Sequence, residues 1–256
     1  MSEDLRYEVR DGIAWLTFHR PQARNALTFA MYDELRDRAL AVNDDAAIKA
    51  VVLTGSGGAF VAGTDIAQFR MFKSEQDPIA YERRMDETCG ALEAVRVPTI
   101  AAIGGATTGG GLAIAAACDL RIASTSAAFG MPIARTLGNA LSMANLARLS
   151  DLIGAGRVKD LMFTTRIVGA DEAKAIGLVS EITADDALEA RAQELATMVA
   201  GFAPRTLWAT KEALRRLRAR DLPDGTDLLL HAYLSDDFKE GIEAFLAKRP
   251  PRWTGS

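Results

Sequence analysis

The sequence is poor in the residues that most often carry metal, redox or nucleophilic chemistry. It has two cysteines, Cys89 and Cys118, and two histidines, His19 and His231. No C-x-x-C or comparable metal spacing occurs. Both cysteines lie in apolar surroundings, which reads as buried reduced thiols in a reducing cytoplasm. Basic charge is not in excess: 30 Lys and Arg stand against 34 Asp and Glu, a net charge of -4. That leaves no basic footprint for nucleic acid. The one local cluster, Arg215, Arg216, Arg218 and Arg220, reads as a solvated helix face. The opening MSEDLRYEVR has no apolar core, so no signal peptide is expected. Charge is missing altogether from Val97 to Cys118, a length that can cross a bilayer. Pro98 and the glycines at 104, 105, 109, 110 and 111 interrupt it, and lipid would leave that backbone unsatisfied. The stretch reads as a buried strand, a glycine turn and a buried helix.

What is present suits an ordinary globular chain. With 256 residues, 49% of them hydrophobic, it can bury one core, or a core plus a small appended subdomain. Strands are expected at Ile13 to Phe18, Ile48 to Thr54, Thr99 to Ile103, Leu120 to Ala123, Ala127 to Phe129 and Gly177 to Ile182. Thr28 is placed to cap a helix with Phe29, Tyr32, Leu35, Ala39 and Val42 on its apolar face. Helix is expected from about Gln68 to Val95, with a break near Pro78, and again at Leu112 to Ala117. Further helices are expected at Asn139 to Asp151, Gly156 to Phe163 and Ala170 to Ala175. After Asp185 the pattern is helical throughout: Ala187 to Val199, Pro204 to Arg218 and Thr226 to Lys248. Alternating strands and helices followed by a helical tail predict an α/β fold with largely parallel strands. The division is expected near residues 195 and 196.

Two places gather free backbone N–H groups. One is Gly63-Thr64-Asp65, at a strand end; the other is Gly109-Gly110-Gly111, at the start of a buried helix. A helix N-terminus presents unpaired donors and partial positive charge. Two such donors converging on one point would stabilise an enolate oxygen. Tight turns and close helix packing explain the same glycines, and spacing alone leaves both readings open. Neither a dinucleotide fingerprint nor a P-loop fits.

Five stretches carry a resemblance. AFVAGTDIAQF (Ala59 to Phe69) is similar to A-F-x-A-G-x-D-[IL]. TIAAIGGATTGGGLAIAAACDLRIAS (Thr99 to Ser124) is similar to P-V-I-A-A-V-x-G-x-x-x-G-G-G-x-x-[LI]-x-x-x-C-D. HRPQARNALT, ADEAKAIGLVSEI and SDDFKEGIEAFLAKRPPRW match three further segments in order. Together they resemble the crotonase, or enoyl-CoA hydratase/isomerase, family over nearly the whole chain. The resemblance implies a spiral of ββα units with C-terminal helices that help form homotrimers, often paired into hexamers. It implies an acyl-CoA thioester as substrate, with coenzyme A part of the substrate and no permanently bound cofactor. Thr64 and Gly110 would donate the two oxyanion N–H groups. The CoA chain would pass Arg24, Ala62, Thr64, Asp65 and Ile66, with Lys248 or Arg249 near its phosphates.

The resemblance also exposes a departure. Hydratases of the family divide acid and base between two glutamates. The corresponding positions here are Ala113, two residues after the glycine triplet, and Ile133, after Phe-Gly-x-Pro. The following loop, ARTLGNALSMAN, holds Thr136, Asn139, Ala140 and Ser142 but no acid. Between Glu93 and Asp151 the only acid is Asp119, read as structural. Arg135 is the notable charge of that loop and is suited to a substrate carboxylate or an acid from elsewhere. Asp86 and Glu87, on the preceding helix, are candidate replacement acids; Glu82 and Asp65 rank behind them, Asp65 as a structural hydrogen-bonding residue. His19 reads as a turn residue, and His231 lies on a C-terminal helix.

Three functions remain on these residues. One is an acyl-CoA enzyme with non-standard chemistry: an atypical hydratase or isomerase, or a decarboxylase of malonyl-type thioesters. The second is an acyl-CoA-binding module without turnover. The third, a serine hydrolase on the related ClpP-type spiral, lacks a recognisable Ser/His/Asp set.

Overall fold

The computed structural model describes residues 3–219, 222 and 224–254; Arg220, the last of the basic cluster, lies outside them. The chain opens with a hairpin whose first strand was not among those expected. Strand β1 (Leu5–Arg10) pairs antiparallel with β2 (Ile13–Phe18), Leu5 opposite Phe18. Between them Asp11 and Gly12 take φ of 50° and 77°. A two-residue hairpin that follows the strand twist needs both angles positive, and Asp-Gly supplies them.

Thr28 Oγ1 accepts from Met31 N and starts α1 (Phe29–Val42), whose buried face is Met31, Tyr32, Leu35, Ala39 and Val42. Strand β3 (Ala50–Gly55) lies parallel to β2. A 3-10 turn over Ile66–Met71 precedes α2 (Gln76–Glu93). Pro78 stands in the first turn of α2, where its missing N–H has no carbonyl to serve, so it begins the helix rather than breaking one.

The uncharged stretch becomes β4 (Thr99–Ile103), β5 (Ala106–Thr108) and α3 (Gly110–Ala117), and every residue of α3 is buried. Among the described residues no helix is long and apolar enough to cross a membrane. Then come β6 (Leu120–Ser124), β7 (Ala128–Gly130), the single turn α4 (Ile133–Thr136), α5 (Met143–Ile153) and α6 (Ala155–Thr164). Helix α5 starts later than its pattern suggests, because Ser142 Oγ caps it by accepting from Asn145 N. Strand β8 (Val168–Gly169), α7 (Ala170–Ala175) and β9 (Glu181–Thr183) complete the sheets. The strand expected from Gly177 begins only at Glu181, since Gly177 turns the chain at φ 82°.

The strands form a six-stranded sheet, β1-β2-β3-β4-β6-β9, and a three-stranded one, β5-β7-β8. All pairings of the larger sheet except β1 with β2 are parallel. Helix α8 (Leu188–Ala200) buries Leu188, Ala192, Leu195, Ala196 and Val199 in a cluster with Trp15, Val52 and Ile100. The expected division at 195 and 196 falls inside this helix. Helix α9 (Pro204–Ala219) buries none of its residues.

The final helix expected from Thr226 to Lys248 is two: α10 (Thr226–Tyr233) and α11 (Asp236–Leu246). Ser235 separates them, its Oγ accepting from Phe238 N at 3.0 Å as a new N-cap. Both return to the main core. Tyr233 and Phe238 stack edge to face at 4.8 Å, and Phe238 lies 5.9 Å from Phe69. Burying each such ring contributes roughly 1.5–3 kcal/mol. The C-terminal helices thus roof α2 and the 3-10 turn, which brings Tyr233 onto Glu82.

Candidate active site

The two glycine-bearing stretches lie side by side. Val61 N donates to Ala106 O at 3.2 Å, and Thr108 N donates to Val61 O at 3.1 Å. On the other side Leu27 N donates to Gly63 O and Asp65 N to Leu27 O. This pattern skips Thr64 N. Gly110 N sits at the first position of α3, where no intrahelical carbonyl is available. Among the described residues neither N–H has a hydrogen-bond partner. Both residues border one cavity of about 620 Å³. Glycine is required at 110, because a Cβ there would fall 2.1 Å from the Tyr32 hydroxyl and 3.2 Å from Thr64 Oγ1.

The Thr64 side chain is fixed from two sides. Its hydroxyl lies 2.7 Å from Tyr32 Oη and 2.8 Å from Tyr81 Oη. Burial pushes both phenols above their ordinary pKa, so they stay neutral hydrogen-bonding groups. The backbone at Thr64 is therefore anchored by α1 and α2 together.

Arg24, Ala62, Asp65 and Ile66 border the same cavity. Ala62 N donates to Arg24 O at 3.0 Å, and Asp65 pairs with Arg20 at 3.1 Å while capping the 3-10 turn. The Arg24 guanidinium is exposed and has no partner among the described residues. Lys248 is exposed and does not border the cavity, although Phe245 does. Arg249 is committed to Glu240 at 2.6 Å.

Arg135 borders the cavity, exposed and without a side-chain partner among the described residues. Ile133 also faces it, together with Leu137, Leu141 and Met85. Ala113 is wholly buried in α3 and does not reach it. His19 is held by Ser56 at 2.9 Å and Arg6 at 2.6 Å, a structural arrangement. His231 is exposed on α10. Asp119 binds Thr99 N and Lys211 Nζ, which ties β4 to α9.

The expectation for Asp86 and Glu87 needs correction, because the structure brings neither to the cavity. Asp86 is turned toward α5, accepting from Ser142 Oγ at 2.6 Å and Asn145 Nδ2 at 3.1 Å. Glu87 lies on the outer face of α2, 3.5 Å from Arg36. A helix turns about 100° per residue. The inward face of α2 is Tyr81, Glu82 and Met85, so the next two positions point elsewhere.

Among the described residues two acids border the cavity: Asp65, which is paired with Arg20, and Glu82, which is 2% exposed. Glu82 Oε1 accepts from Tyr233 Oη at 2.5 Å and its Oε2 from Ser142 N at 3.1 Å. Burial raises its pKa to about 8, with nearby Asp86 adding to the rise and the two hydrogen bonds opposing it. Asn139 Nδ2 donates to Tyr233 Oη at 3.1 Å, and its buried Oδ1 has no partner among the described residues. The sequence ranked Glu82 low because its partners come from α10 and the loop before α5. One signal was available: Glu82 sits on the apolar stripe Tyr81, Met85, Thr88, Cys89 and Leu92. A carboxylate on a buried stripe needs a reason to be there.

The enoyl-CoA hydratase/isomerase family profile matches residues 8–256. A probable enoyl-CoA hydratase of Mycobacterium bovis, echA8, is 35% identical over 98% of both chains. The crotonyl-CoA hydratase of Syntrophomonas wolfei is 33% identical over 96% of both. A solved structure of a methylmalonyl-CoA decarboxylase in complex with 2-nitronate-propionyl-CoA is 25% identical and superimposes with a TM-score of 0.90 over 100% of both chains. These similarities run from end to end and agree with the layered sheets and closing helices seen here. The chain belongs to the enoyl-CoA hydratase/isomerase, or crotonase, family and is an enzyme of that type acting on acyl-CoA thioesters.

Proposed function

We propose that this enzyme stabilises the enolate of an acyl-CoA thioester between the backbone N–H groups of Thr64 and Gly110, without the two-glutamate hydration chemistry of its relatives. The observation that carries the reading is the pair of unpartnered N–H groups bordering one cavity. Preorganised donors of this kind contribute roughly 10²–10³ in rate each. The thioester arm would enter past Arg24, Ala62, Asp65 and Ile66, with the exposed Arg24 and Lys248 available to phosphates. Ala113 and Ile133 stand at the two acid positions implied by the family pattern, and neither can carry a proton. Ile133 presents an apolar wall to the cavity instead.

Decarboxylation of a malonyl-type thioester is a second reading with its own support. The departing carboxylate supplies the electrons of the enolate, so no base is needed. Arg135, without a side-chain partner, suits the substrate carboxylate, and the apolar wall of Ile133, Leu137 and Leu141 disfavours a charged group beyond it. The decarboxylase of near-identical fold acts on methylmalonyl-CoA by its name. A role in binding alone loses its main support, since Glu82 gives the cavity a titratable group.

Side-by-side assays of crotonyl-CoA hydration and methylmalonyl-CoA decarboxylation test the proposal. Hydration near the median enzyme rate of about 10 per second would refute the non-standard chemistry. Decarboxylation with negligible hydration would establish the second reading. The assembly is proposed to be a homotrimer or hexamer; α9 supports it, exposing Trp208, Leu214 and Leu217 with nothing among the described residues of the protomer to cover them.

A further inference from the structure

We propose that Glu82 is the catalytic acid/base that delivers a proton to, and takes one from, the carbon next to the thioester carbonyl, with Tyr233 as its positioning residue. The inference rests on the enolate reading above. It starts from placement. Tyr81, its neighbour on α2, touches the Thr64 hydroxyl at 2.8 Å, and the carboxyl and the proposed oxyanion donors border one cavity. The positions that would hold acids by family pattern are apolar here, while Glu82 is a buried acid bordering that cavity.

Its partners fit the task. A carboxyl group has about four lone-pair positions, and only two are used, by Tyr233 Oη and Ser142 N. Capacity is left for a proton facing the cavity. Both partners donate, so they hold the ionised form after the proton has left. Asn139 Nδ2 in turn donates to Tyr233 Oη and sets the direction in which the phenol donates. A group with pKa about 8 is mostly protonated at neutral pH, yet close enough to give and recover its proton.

The step balances without any other reactant. The electron pair of the enolate takes the Glu82 proton, a C–H bond forms, the carboxyl O–H bond breaks and the thioester carbonyl is restored. Glu82 is left as a carboxylate and is reprotonated from solvent. In reverse, the carboxylate removes the proton, and the C–H electron pair becomes the enolate. A purely structural alternative is that Glu82 only ties α10 to the loop before α5. That role predicts no proton exchange through it.

Hydrogen–deuterium exchange at the α-carbon of propionyl-CoA in heavy water, read by mass spectrometry, separates the two. The groups facing Glu82 are Tyr233 from α10, Tyr32 from α1, and Tyr81, Asp86 and Cys89 from α2. The phenols and the thiol are pushed up by burial, so the exchange profile near pH 8 belongs to Glu82. The wild type is expected to exchange, with the rate rising through about pH 8. Glu82→Gln is expected to lose at least about a hundredfold in exchange, with propionyl-CoA binding by calorimetry retained within about threefold. Exchange at the wild-type rate in Glu82→Gln overturns the assignment alone. A wild type that binds propionyl-CoA but never exchanges overturns the enolate reading and the assignment together. Should Glu82→Gln not fold, Tyr233→Phe decides. Losing the phenol that holds the carboxylate must move the exchange profile to higher pH, and an unmoved profile refutes the role of Glu82.

Discussion

The Tyr233 hydroxyl donates to Glu82 Oε1 at 2.5 Å, joining a helix from the end of the chain to one from its first half. Glu82 and Thr64 border the same cavity, and Tyr233 holds the Glu82 carboxyl from behind its lining.

Stability is expected to depend on this acid. Its folded pKa, about 8, is raised above the ordinary 4.5. The protonated form is the favoured one in the fold. Its contribution is fully present below about pH 4.5 and is lost as pH rises through about 8. Each pKa unit corresponds to about 1.4 kcal/mol. Thermal unfolding of Glu82→Gln should therefore gain on wild type as pH is raised across that window, after a constant cost of about 1 kcal/mol for disturbed hydrogen bonds. Parallel melting curves at all pH values would contradict the buried, protonated state.

Gly110→Ala should be severe. The new methyl meets the Tyr32 hydroxyl at 2.1 Å, and Tyr32 is locked in the core. Overpacking of this kind costs about 1–3 kcal/mol, and displacement of the Gly110 N–H should lower kcat about a hundredfold or more. Retained activity with a lowered Tm would mean the N–H is not used.

Thr64 has two phenol partners, so losing one should be mild. Tyr32→Phe and Tyr81→Phe are each expected to cost about 1 kcal/mol. The double variant should cost more than their sum, because the Thr64 hydroxyl then loses both. Denaturant unfolding of the four-protein cycle measures the coupling. Strict additivity would mean the Thr64 hydroxyl finds another partner.

Arg135→Ala should act selectively. A charged hydrogen bond is worth about 1.5–3 kcal/mol, so KM for methylmalonyl-CoA is expected to rise about tenfold or more, with crotonyl-CoA binding little changed. Equal losses for both thioesters would show that Arg135 serves the part they share.

For the assembly, Leu214→Glu with Leu217→Glu is expected to convert the oligomer to monomer by analytical ultracentrifugation. Both side chains are over 60% exposed in the protomer, so the change should not disturb its fold. A monomeric wild type would remove the basis of the test and the proposed oligomer.

Much of the fold was legible in local pattern. Thr28 capped α1 with the expected face, except that Met31 rather than Phe29 is fully buried, and ADEAKA became α7 over the expected residues. The uncharged stretch resolved into strand, turn and buried helix, because its glycines and proline forbid one continuous element. The β1 strand was missed although Leu5–Arg10 alternates apolar and charged residues and Asp11-Gly12 signals a hairpin. The last helix was read as one, since the apolar spacing continues across the Ser235 cap.

The sequence by itself determined most of the element types, the family and the two glycine-bearing stretches around Thr64 and Gly110, since these follow from short-range spacing and motif. Only the tertiary structure decided which acid of α2 faces the cavity. Asp86 and Glu87 differ from Glu82 by a turn of the same helix, and their roles depend on what packs against each side. Ser142 and Tyr233, at sequence separations of 60 and 151 residues, hold the Glu82 carboxyl by hydrogen bonds that temper the rise in its pKa, while burial drives that rise. Desolvation is a property of the surrounding packing, which no local pattern on α2 contains.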